Sequence, residues 1–188
     1  MAKEVILGEF NKIADTMPAE SQAKFEFHPI DLMTHWKRCG LLADFIGAFY
    51  SFGNPPRIDK DENMLMNLST VVNELIENAA KFSRQRAPVS IQLKHYSSIL
   101  QIEVTNQTVH TVAQNFQKIA NKLLSENIEE LYFKSLEERD ENDNKTSGIG
   151  LMMILKDYPV QMAFRFKELE DGKHTEITTK AYISVQGV

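Results

Sequence analysis

Glu74, Asn78 and Lys81 are spaced i, i+4 and i+7 along one stretch, Leu68 to Ser83, and therefore form a row on one side of a helix. A carboxylate can take a proton, an amide oxygen can ligate a hard cation, and an amine can neutralise a phosphate. The row therefore holds the group types that phosphoryl transfer requires. Taken alone, polar residues at this spacing equally form a solvated helix face. A second segment, Ser147-Gly148-Ile149-Gly150-Leu151, places two glycines where a turn enters an apolar helix. Glycines there let backbone N–H groups approach an anion, and the helix dipole favours negative charge. The competing reading of this segment is a tight turn with close packing.

The elements that must position these groups follow from periodicity. Leu68, Val71, Val72, Leu75, Ala79 and Phe82 share one face at about 100° per residue, which predicts an amphipathic helix over 64–84. Upstream, Val5, Ile6, Phe10, Ile13 and Met17 recur at near-helical spacing and predict a helix over 3–17, closed by Pro18. Residues 24–28 alternate like a short strand. A helix over 31–52 follows, capped by Asp31 and ended by Gly53-Asn54-Pro55-Pro56, with an aromatic content that suits a core or dimer helix. A charged connector, 57–63, leads into the central helix.

Downstream, alternation over 89–96 and 99–104 predicts a hairpin. Helical spacing returns over 109–126 and 128–138. The charged run 137–145 reads as a solvated loop and a natural lid, and the apolar helix after Gly150 ends before Pro159. Strands over 160–169 and 174–185, joined through Asp171-Gly172, close the pattern. The expected fold is an α/β (α+β) two-layer sandwich with a mixed, largely antiparallel sheet covered by helices.

With 188 residues, 43% of them hydrophobic and 25% charged, the chain can bury an ordinary core. A net charge of -5 argues against a broad nucleic-acid footprint. The single cysteine, Cys39, excludes an internal disulfide and a four-cysteine metal site, and it suits a reducing compartment. The acidic, amphipathic N-terminus does not read as a secretory signal and no run reaches a membrane span, so a cytoplasmic location without membrane insertion is expected. His35 lacks the surroundings of a phospho-acceptor, and the remaining histidines lack ligand spacing.

Asn73 to Ser83 resembles the N box of the GHKL (histidine kinase-like, Bergerat) ATPase superfamily, and Ser147 to Leu151 resembles its second glycine box. The resemblance spans residues 64 to 185, in the family's order. It implies an ATP-binding domain over 61–188, with residues 1–60 an N-terminal extension packed on it that offers a dimer or partner surface. It further implies that Asn78 ligates Mg²⁺, that Lys81 touches phosphate, and that Ser147, Gly148, Ile149, Gly150 and Leu151 cradle the triphosphate of ATP. Glu74 stands where gyrase-like ATPases and anti-sigma serine kinases carry a glutamate, the position of a catalytic base.

The family's Asp-x-Gly-x-Gly box is replaced here by Val104-Thr105-Asn106-Gln107-Thr108, which leaves Asn106 to accept the adenine amino proton through its amide oxygen. The whole pattern is similar to small stand-alone bacterial switch kinases, of the SiaB type or the anti-sigma factor type. That similarity implies transfer of the γ-phosphoryl group to a Ser or Thr of a partner protein, with a catalytically inactive GHKL-fold pseudokinase acting as a protein-binding module as the alternative.

Overall fold

A computed structural model describes residues 3–14, 16–51, 61–137 and 148–184, with side chains of 51 and 61–66 outside the description. The described elements are β1 (Glu4–Leu7), β2 (Ser21–Phe27), α1 (Pro29–Thr34), α2 (Lys37–Ser51), α3 (Asp61–Phe82), β3 (Val89–Tyr96), β4 (Ile99–Val109), α4 (His110–Ser125), α5 (Ile128–Glu137), α6 (Ile149–Asp157), β5 (Val160–Glu168) and β6 (His174–Ser184). The strands form one six-stranded sheet in the order β1-β5-β6-β4-β3-β2. Every neighbouring pair runs antiparallel, so the sheet is antiparallel throughout where the sequence also allowed a mixed one.

Strict alternation along the strands makes the sheet two-faced. One row of directly paired residues, Leu7, Phe164, Thr179, Val104, Ile91 and Phe25, crosses all six strands on the helix-covered side. Four of these six, Phe164, Thr179, Val104 and Ile91, are at most 9% exposed, and the strands of that face join α3, α4 and α6 in a single core. Burying a Phe or Leu side chain there contributes roughly 1.5–3 kcal/mol. The central helix α3 presents Leu68, Val71, Val72, Leu75, Ile76, Ala79 and Ala80 to that core, as its 3.6-residue period requires.

The N-terminal segment departs from expectation. Instead of a helix over 3–17 it forms the edge strand β1 and then an irregular path. Gly8 explains the break: its φ is +74°, and a Cβ there would lie 2.9 Å from the Met162 carbonyl oxygen. Val5 and Leu7 alternate inward, pair with Phe166 and Phe164, and complete the sheet edge. Phe10 and Ile13, which looked like helix-face residues, cover the far side of the sheet beside Tyr96, Ala163 and Tyr182. Phe10 is held there by Lys180 and Arg165, 4.2 and 5.2 Å from its ring centre.

The helix expected over 31–52 is divided. His35 at the end of α1 has φ -117° and ψ 56°, outside helical geometry, and α2 restarts at Lys37 to pack along α3. The remaining expected elements match within a few residues, except that β4 runs on to Val109, which carries Asn106 into the sheet. The charged run from 138 onward and the connector from 52 to 60 lie outside the described residues.

Candidate functional site

A cavity of about 290 Å³ opens between α3, α4, the start of α6 and the sheet. Its floor is a rectangle of two cross-strand pairs: Val104 opposite Thr179, and Asn106 opposite Ile177. Side chains two apart on a strand face the same way, so all four point towards the helices. Leu75, Asn78, Ala79 and Phe82 of α3 make one wall, and Val112, Asn115 and Phe116 of α4 make the other. Gly148 and Leu151 close one end. Concave, largely apolar walls with a few convergent polar groups are the usual form of a small-molecule site.

Two of the three groups in the helical row reach this region. Asn78 lines the cavity, and its amide N–H donates to the Glu74 carbonyl oxygen at 2.7 Å, which leaves the side-chain oxygen as the end available to a ligand. Glu74, one turn earlier and half-buried, does not line the cavity; its carboxylate lies against α6. A Cβ on Gly150 would be 1.9 Å from Glu74 Oε2. Burial pushes the Glu74 carboxyl above its ordinary value of 4.5, and the nearby Glu77 charge pushes the same way. Lys81 departs from the row: it is exposed, its ammonium lies 5.5 Å from the Phe82 ring centre, and it does not line the cavity.

The glycine segment forms the start of α6. Gly148 is the N-cap residue, with φ +112°, and a Cβ on it would meet Ile119 Cγ2 at 2.9 Å. Both conformation and space therefore demand glycine. The first amides of a helix have no partner within it, and the start of α6 adjoins the cavity end that Gly148 and Leu151 line. Leu151 is buried and lines the cavity, Ile149 is half-buried and does not, and Ser147 lies outside the described residues.

Asn106 sits on the floor as the sequence reading required, only 7% exposed. Thr179 and Asn115 also contribute polar groups, and neither was legible as a site residue. Thr179 lies within the period-2 pattern of β6, and its place beside Asn106 depends on a strand pairing between residues far apart in sequence. Among the described residues no group of three or more His, Cys, Asp or Glu side chains could hold a metal ion. A cation at Asn78 would therefore take most of its ligands from a bound phosphate chain and water, the manner in which Mg²⁺ commonly binds.

No family model and no curated protein matches the chain. Its fold is similar to a chain in the crystal structure of the SiaB–SiaC complex from Pseudomonas aeruginosa, with a TM-score of 0.58 and 14% identity over 86% of this chain and 89% of that one. No helix among the described residues is long and apolar enough to cross a membrane.

Proposed function

We propose that this chain is a GHKL-like regulatory kinase that binds Mg-ATP in the cavity beside α3 and transfers the γ-phosphoryl group to a Ser or Thr of a partner protein. The observation that carries the reading is the meeting of Glu74 with Gly150, which brings a half-buried carboxylate to the first turn of an anion-accepting helix next to the cavity. A base held against the start of α6, beside a cavity whose end adjoins the α6 N-terminus, brings a proton acceptor and an anion site close together, as such a reaction needs.

In this reading Asn78 would supply its amide oxygen to Mg²⁺, which when bound would neutralise phosphate charge. Glu74 accepts the proton of the acceptor hydroxyl. As the new oxygen–phosphorus bond forms, the bond from the γ-phosphorus to the bridging oxygen breaks, and ADP leaves. The elevated proton affinity of Glu74 suits it to that step, because a general base works best when its pKa approaches the working pH. A protein partner is in keeping with the SiaB–SiaC neighbour, which is itself a two-protein complex.

A second reading, a pseudokinase that acts by binding proteins, draws support from two observations. Lys81 points to solvent rather than into the cavity. In addition, α2 exposes Leu41, Phe45 and Phe49, a stripe that a partner or a second copy of the chain would cover.

One experiment separates the two. Titration calorimetry with Mg-ATP is combined with γ-labelled ATP and proteins that co-purify with the chain. The kinase reading expects label on a partner, lost in Glu74→Ala while nucleotide binding persists, and both lost in Asn78→Ala. Labelling indifferent to both substitutions would sink it, and partner binding without nucleotide would leave the second reading.

A further inference from the structure

The polar side chains lining the cavity are all neutral among the described residues: the amides of Asn78, Asn106 and Asn115 and the hydroxyl of Thr179. Asn106 is the most enclosed of the amides. It is 93% buried, its side chain has no hydrogen-bond partner among the described residues, and its polar atoms are not sealed from the cavity it lines. An enclosed amide without a partner is costly unless a ligand completes it. The group it asks for carries a donor and an acceptor side by side, because a primary amide presents both in one plane.

Purine bases offer such an edge in two opposite polarities. Adenine sets an amino donor beside a ring-nitrogen acceptor, and guanine sets a carbonyl acceptor beside a ring N–H donor. One orientation of the Asn106 amide complements the first, and the same amide turned by half a revolution complements the second. The Thr179 hydroxyl, diagonally across the floor, donates or accepts with equal ease. A carboxylate at the Asn106 position would accept only, and would repel the guanine carbonyl.

We propose that this cavity takes purine nucleoside triphosphates of both kinds, ATP and GTP, and that Asn106 is the residue that removes the discrimination between them. The proposal rests on the nucleotide-binding reading above and specifies its ligand. An asparagine amide reads a base edge through the orientation of its donor and acceptor, and no hydrogen bond among the described residues fixes that orientation here.

The test is titration calorimetry on the full chain with Mg-ATP and with Mg-GTP, repeated on Asn106→Asp. Dissociation constants within about tenfold of each other in the unsubstituted chain are expected, a spread below the discrimination one oriented base-edge contact provides. In Asn106→Asp the ratio should move towards ATP by about tenfold or more. A larger than tenfold preference in the unsubstituted chain overturns the proposal while leaving nucleotide binding intact. A ratio unmoved by Asn106→Asp, in a variant whose melting curve shows it folded, overturns the role of Asn106. Failure of both nucleotides to bind overturns this inference together with the reading beneath it. If the variant does not fold, the ratio in the unsubstituted chain decides alone.

Discussion

The Glu74 carboxylate occupies the space in which a side chain on Gly150 would begin, with Oε2 1.9 Å from the position a Cβ would take. Two segments far apart in the chain are thus fitted to each other atom by atom, α3 through a carboxylate and α6 through the absence of one methyl group. Gly150→Ala therefore forces Glu74 to turn away. The obstructing atoms are the end of a flexible side chain, so the expected cost is modest, about 0.5–1.5 kcal/mol, the scale of a displaced rotamer. In a Glu74→Ala background the same change should cost almost nothing, since the obstructing atoms are gone and alanine favours a helix over glycine. A double-mutant cycle by chemical denaturation reads the difference; equal costs in both backgrounds would refute the contact.

Glu74 also sets a pH dependence. Its folded pKa is raised above 4.5, so the folded state binds the proton more tightly than the unfolded one. The sign follows: the group favours folding when protonated, and that contribution is lost as pH rises through the raised value. Glu74→Gln removes the ionised form. The variant should melt higher than the unsubstituted chain at pH 8, with the gap closing as pH falls below the ordinary carboxylate value. A gap that grows on acidification would contradict the burial of this carboxyl. The same variant should lose partner phosphorylation while retaining nucleotide, as the proposed base requires.

Asn78 and Lys81 should part company. Asn78→Ala removes the amide oxygen at the cavity wall, and the affinity gained on adding Mg²⁺ to ATP should fall by roughly tenfold or more, as expected when a charge-assisted contact is lost. Lys81→Ala, exposed and beside Phe82, should change affinity by less than about threefold, the scale of a screened surface charge. Calorimetry with and without Mg²⁺ distinguishes them. A dominant Lys81 effect would mean that its side chain swings into the cavity on binding.

The β5–β6 turn offers a test remote from the cavity. Asp171 accepts hydrogen bonds from the backbone N–H groups of Lys173 and His174, at 2.9 and 3.0 Å, and contacts the His174 ring. The His174 hydrogen bond above all lowers the Asp171 pKa to about 2. A lowered carboxyl contributes stability at neutral pH and loses it as pH falls towards that value. Asp171→Ala should thus lower the melting temperature at pH 7, with a deficit that shrinks between the ordinary value of 3.8 and about 2. A deficit constant across that range would locate the effect in turn geometry alone.

Local sequence carried much of this architecture. The period of 3.6 from Leu68 to Phe82 and the alternation of 89–96, 99–104 and the closing hairpin depend only on which side chains avoid water, and each element starts close to where its pattern put it, β4 alone running well past its expected end to Val109. Asn78 and Gly148 were nominated from residue type and spacing, Asn106 and Leu151 from the family resemblance, and the structure brings all four to one cavity. The first twenty residues could not be read this way. Val5, Phe10 and Ile13 satisfy a helical spacing by chance, whereas Gly8, the open edge of β5 and the far face of the sheet decide their fate.

The sequence by itself determined the period of each element, the glycine at the start of α6 and the group types available for chemistry, because these depend on neighbours along the chain. Only the tertiary structure decided which of those groups meet. Register pairs Asn106 with Ile177 and sets Thr179 beside them, the packing of α6 against α3 presses Glu74 onto Gly150, and the end of α3 turns Lys81 to solvent. Such distances are fixed by contacts between segments far apart in the chain, and no local pattern encodes them.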